Sequence, residues 1–188
     1  MQKVWLKGVK LNYSKNVIDI VQYGSSVIDG KEVRDVDVAV IFNRISIKEQ
    51  LNEAQEIKNQ LKHFTDKNIH INALDLYSLF DKGNFAKDSI MFYGKSLISG
   101  KYFSEMFGMC PGLQISYSLA RLEKKGKVRF NYLLNGKAGN YGMLREYKGK
   151  LLNPGLIEVY PEYEKLFVDA LSQITTEIRA NKIFRMIE

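Results

Sequence analysis

Residues 35–42, "DVDVAVIF", confine the fold more than any other stretch of the chain. From Val38 to Phe42 every side chain is apolar, so both faces must be covered, as in a strand inside a sheet. Yet the segment opens with Asp35 and Asp37. Side chains alternate along a strand, so the two carboxylates project from one face, two residues apart. Bare carboxylates that close repel and raise one another's pKa. Two explanations stand: a structural pair of aspartates, or a pair relieved by a hard divalent cation, Mg²⁺ (or Mn²⁺).

The preceding stretch faces this pair. Asn16 to Tyr23 reads as a strand that runs into Gly24-Ser25-Ser26, and "GSSVIDGKEVR" is a turn-forming connection to Asp35. Gly24 lets a backbone approach closely, and the turn's N–H groups and hydroxyls suit phosphate. Downstream, "SIKEQLNEAQEIKNQLKHF" has the helical period, with Ile47, Leu51, Ala54, Ile57, Leu61 and Phe64 as its apolar face. Ser46 and Glu49 form a capping box that marks its start. A third strand follows in "NIHINALDL", then an irregular stretch to about residue 100. Strand, strand, helix, strand predicts an α/β (α+β) domain: a small mixed sheet with helices packed on it.

The Gly-Ser turn, nine intervening residues, and Asp-x-Asp in an apolar strand resemble the signature of the DNA polymerase beta superfamily of nucleotidyltransferases. The resemblance covers roughly residues 10–100. It implies that Gly24 and Ser25, with Ser26 in the same turn, hold the triphosphate of an NTP substrate. It implies also that Asp35 and Asp37 hold two Mg²⁺ ions, and that a nucleoside monophosphate passes to a hydroxyl with loss of pyrophosphate. The family commonly adds a third carboxylate from the third strand. Here the aligned position is Asn72, with His70 on the same face. Asp75 has the opposite parity and substitutes only if a bulge or altered register turns it. Either Asp75 completes the catalytic set, or activity is reduced or lost.

The second half has a different texture. Ile115, Leu119 and Leu122 predict a short helix near 113–125. "VRFNYLLNG" reads as a strand with Val128, Phe130, Tyr132 and Leu134 on one face. Glycine-rich turns then separate short strands up to Tyr160. Pro161 opens a final helix with Tyr163, Leu166, Phe167, Ala170, Leu171, Ile174 and Ile178 on its apolar face. Trp5 is expected in the core, Cys110 buried, and His63 capping or solvated. The expected division is a catalytic domain at 1–104 and a basic α+β region at 105–188.

Charge distinguishes this half. Residues 121–150 hold nine basic and two acidic residues, an excess of seven that equals the net charge of the whole chain. Such an excess attracts polyanions through counterion release, or is simply a solvated lysine-rich face. With aromatic rings interleaved, Lys124, Lys125, Lys127, Arg129, Lys137 and Tyr141 are candidate nucleic-acid contacts. Tyr141, between Asn140 and Gly142, is the better stacking group, because Tyr132 falls on the apolar face. One cysteine excludes an internal disulfide. With no apolar run of membrane-spanning length, and a start, "MQKVWLKGVK", without a signal peptide's apolar core, a cytoplasmic location is expected. Nucleotidyl transfer to a nucleic acid is thus the leading expectation. The alternatives are AMP transfer to a small molecule or protein, and a weakened member that binds nucleic acid or a partner.

Overall fold

The structure, a computed structural model, describes Leu6 and residues 8–137 and 140–187. Trp5, and Ala138 and Gly139 of the "NGKAGNYG" loop, lie outside the described residues. The chain is an α+β protein with two compact units: residues up to Met109 together with Ile187, and Cys110–Met186.

The first unit runs β1 (Val17–Tyr23), β2 (Asp35–Phe42), α1 (Ile47–Leu61), β3 (Asn68–Asp75), α2 (Leu76–Phe80), α3 (Lys87–Tyr93) and β4 (Lys95–Ser96). The sheet order β3-β2-β1-β4 puts the apolar strand β2 inside. β1 pairs antiparallel to β2, whereas β3 pairs parallel to it. A parallel pair needs a long crossover, and α1 provides it. One sheet face carries Val36, Val38, Val40 and Phe42, against which α1 packs Ala54, Ile57 and Leu61. The other face carries Ala39 and Ile41 beside Val21, packed with Leu79, Ile90, Met91 and Phe103. Asp35 and Asp37 belong to this second face by alternation, at the start of β2, and remain half-buried.

The start of α1 is as expected: Ser46 Oγ accepts from Glu49 N–H, and the Glu49 side chain accepts from Ser46 N–H. Its inward stripe is rotated from expectation. Gln50 is buried and donates to Ile45 O at 3.1 Å, while Ile47 is 74% exposed and Leu51 58% exposed. Positions 50, 54, 57 and 61 share the arc that meets the sheet, and Leu51 lies off it. On the far side, Asp19 on β1 accepts from Ser96 Oγ on β4 at 2.7 Å and from Ile20 N–H at 2.7 Å. Ser96 Oγ in turn accepts from Ser99 N–H at 2.9 Å, which fixes the turn after β4.

The second unit runs β5 (Met109–Tyr117), α4 (Lys124–Asn135), β6 (Gly136–Lys137), β7 (Asn140–Tyr141), α5 (Met143–Glu146), β8 (Lys150–Asn153), β9 (Leu156–Val159), α6 (Glu164–Ser172) and β10 (Ile178–Met186). Its larger sheet has the order β10-β5-β9-β8. Two expectations are corrected. The helix near 113–125 is strand β5 over its first half, because Pro111, Leu113 and Ile115 alternate as buried residues. The strand "VRFNYLLNG" is helix α4: Phe130 and Leu134, four apart, are buried, whereas Val128 and Tyr132 are exposed. The final helix is shorter than expected. Pro161 opens a single 3₁₀ turn, α6 buries Phe167 and Leu171, and Ile178 starts β10. Cys110 is half-buried and His63 is exposed beyond α1.

Candidate nucleotide and metal site

Gly24 closes against Asp37. It follows β1 with a φ of +74° and begins a 3₁₀ turn, Gly24–Val27. A Cβ on Gly24 would lie 2.6 Å from Asp37 Oδ2, so any side chain here would collide with the carboxylate. The positive φ favours glycine, and a side chain would require the Asp37 carboxylate to turn aside. The register sets up the contact, since Tyr23, the residue before Gly24, pairs with Asp37.

Within the turn the two serines differ. Ser26 is fully buried; its hydroxyl donates to Tyr23 O at 3.1 Å and accepts from Gln22 Nε2 at 2.9 Å. It braces the turn from inside and is turned away from the phosphate role expected of it. Ser25 is half-buried, in contrast to Ser26.

Parallel pairing aligns β3 with the acids. Asn68 is the register partner of Asp35, His70 of Asp37 and Asn72 of Ala39. Asn68 Nδ2 donates to Asp35 Oδ1 at 3.4 Å and contacts His70 Nε2 at 2.8 Å. The other ring nitrogen of His70, Nδ1, lies 3.7 Å from Asp37 Oδ1. Asn72 Nδ2 donates to Tyr23 Oη, which ties it across β2 to β1. Burial raises the Asp37 pKa above the ordinary carboxylate value; His70 lowers it and Asp35 raises it. Burial likewise raises Tyr23, with Asp37 adding to the rise.

Asp75 is not brought to this cluster. The β2–β3 register is continuous, and Asp75 pairs with Phe42 at the far end of the strand, on the other face from Asp37. It caps α2 by accepting from Ser78 N–H at 2.7 Å, and that bond lowers its pKa. Among the described residues no group of three His, Cys, Asp or Glu side chains is placed to hold a metal. Facing the two acids, β3 offers Asn68, His70 and Asn72 instead. Sequence reasoning missed Tyr23 and Asn68. Tyr23 carries a signal in retrospect, as a phenol adjoining the Gly-Ser turn.

Asp35 and Asp37, two carboxylates on one face of β2, are the residues that could hold a hard divalent cation. Two carboxylates with water or phosphate oxygens complete the octahedron that Mg²⁺ prefers, and the cation would offset the cost of keeping Asp37 ionised beside Asp35. The second unit holds the other candidates: Lys124, Lys125, Lys127 and Arg129 are exposed on α4, with Lys137 on β6 and Tyr141 on β7 exposed as well. No helix among the described residues is long and apolar enough to cross a membrane. No protein-family model, curated protein or solved structure matches the chain.

Proposed function

We propose that the first unit transfers a nucleoside monophosphate from an NTP to an acceptor hydroxyl. The observation that carries this reading is the approach of Gly24 to Asp37, which sets the start of the Gly24–Val27 turn beside that carboxylate. The cation would supply charge neutralisation at the reacting phosphates. Asp35 and Asp37 hold it and orient the α-phosphate; the Ser25 hydroxyl and the turn's N–H groups hold the phosphates beyond. Tyr23 and Asn72 fix the floor between β1 and β3. His70 is the titratable group on β3 beside Asp37, with Nδ1 3.7 Å from Asp37 Oδ1, and it is the candidate acceptor for the proton of the attacking hydroxyl.

A second reading has its own support. Asn72 occupies the position of the expected third carboxylate, and its amide is committed to Tyr23. That favours a member that binds nucleotide without efficient transfer. The discriminating experiment is incubation with each α-labelled NTP, Mg²⁺ or Mn²⁺, and a panel of RNA, DNA, protein and small-molecule acceptors. Label on an acceptor that disappears in Asp37→Asn supports transfer. Metal-dependent nucleotide binding with no labelled acceptor supports the second reading.

A further inference from the structure

We propose that the second unit binds single-stranded nucleic acid along the exposed arc of α4 and on the ring of Tyr141. The strand would then be the acceptor of the proposed transfer; that last step rests on the transfer reading, whereas the binding does not.

From Lys124 to Arg145 the chain has six cations and no acid. Four of them, Lys124, Lys125, Lys127 and Arg129, are exposed on α4, whose buried residues are Phe130 and Leu134. Among the described residues none of the six is in an ion pair, in contrast to Arg121, whose Nε lies 3.0 Å from Glu177 Oε1. Cations without carboxylate partners and without burial are what a phosphate chain neutralises by counterion release.

Two of the six are placed over aromatic rings. Lys137 Nζ lies 4.9 Å from the Tyr132 centroid, and the Arg145 guanidinium carbon lies 4.0 Å from that of Tyr141. Arg145 lies over the ring of Tyr141, and the residue stays 63% exposed, which leaves surface for a base. A flat ring backed by a guanidinium is a platform for an unstacked base. The bases of a duplex are already stacked and offer that ring nothing, which argues for single strands. The arc does not suit a lipid surface. Besides Lys and Arg it carries Asn131, Asn135 and Tyr132, with Val128 its one aliphatic residue, so there is no apolar stripe to enter a membrane.

The test is fluorescence anisotropy of labelled 20-nucleotide RNA and DNA, single-stranded and as duplexes of the same sequence, across a salt series. EDTA is present and NTP absent, so failure of the transfer reading leaves the result unmoved. Single strands should bind more tightly than duplexes, with log K falling against log[salt] by about 0.7 for each phosphate neutralised. Lys124→Gln, Lys125→Gln and Lys127→Gln together should flatten that slope by about two. Tyr141→Ala, at an exposed position where folding is checked by circular dichroism, should weaken binding roughly five- to hundredfold with little change of slope. Negligible binding at low salt, duplex preferred over single strand, or wild-type affinity in both variants would overturn the proposal. So would equal affinity for anionic phospholipid vesicles.

Discussion

The missing side chain of Gly24 is the space that Asp37 Oδ2 occupies: a Cβ there would stand 2.6 Å from that oxygen. Backbone conformation and chemistry are coupled at one point, since the φ of +74° that aims the turn at the carboxylate is one that side chains resist. Gly24→Ala should therefore do two things at once. Left-handed strain should cost about 1–2 kcal/mol of stability. Displacement of Asp37 should weaken Mg²⁺-dependent nucleotide binding beyond what that loss explains. Denaturant titration and calorimetry separate the two, and an alanine variant with wild-type stability and affinity would refute the coupling.

His70 and Asp75 are expected to part company. His70→Ala should lower the transfer rate by roughly 10²-fold or more, the scale of a lost general base, with nucleotide affinity retained. Asp75→Ala should leave transfer untouched and cost about 0.5–2 kcal/mol through loss of the α2 cap. Steady-state rates with thermal melts decide it. A severe loss of transfer in the Asp75 variant would return that residue to the site.

Asn72→Asp adds the carboxylate that the strand lacks. Beside Asp37 it should tighten Mg²⁺ binding and raise transfer, while lowering the melting temperature of the metal-free protein through like-charge repulsion. Unchanged metal affinity would mean that position 72 does not face the cation.

Asp19 gives a pH dependence independent of the site. Burial raises its pKa above 3.8 despite the bond from Ser96. Its ionisation is disfavoured in the fold, so stability from this group is full below about pH 3.8 and is lost as pH rises through the folded value. Asp19→Asn keeps the acceptor oxygen and cannot ionise. It should melt higher than wild type at neutral pH, with the difference vanishing toward pH 3.8. Parallel melting curves across that range would contradict the assignment.

The strand, strand, helix, strand part of the first unit was legible in sequence because its signals are local, whereas α2 and α3 lie in the stretch expected to be irregular. The run Val38–Phe42 has one interpretation, and Ser46 with Glu49 marks a helix start within three residues. The second unit was not, because Phe130 and Leu134 satisfy two periods at once: they share a strand face and a helix face. Only packing chooses, and Tyr117, whose ring lies 4.6 Å from that of Phe130, comes from another element. The site divides the same way. Asp35, Asp37 and Gly24 follow from spacing, whereas the Tyr23–Asn72 bond joins residues 49 apart and the inward turn of Ser26 depends on Gln22. Long-range pairing of that kind leaves no periodic trace.

The central claim is that Asp35, Asp37 and the Gly24 turn form one metal-dependent nucleotide site. Its most direct measurement is isothermal titration with a non-hydrolysable ATP analogue, with and without Mg²⁺, for wild type and the Asp35→Asn, Asp37→Asn double variant. Binding that requires Mg²⁺ in wild type and is absent from the folded double variant is the predicted result. No binding in wild type, or equal Mg²⁺-dependent binding in the variant, would contradict it.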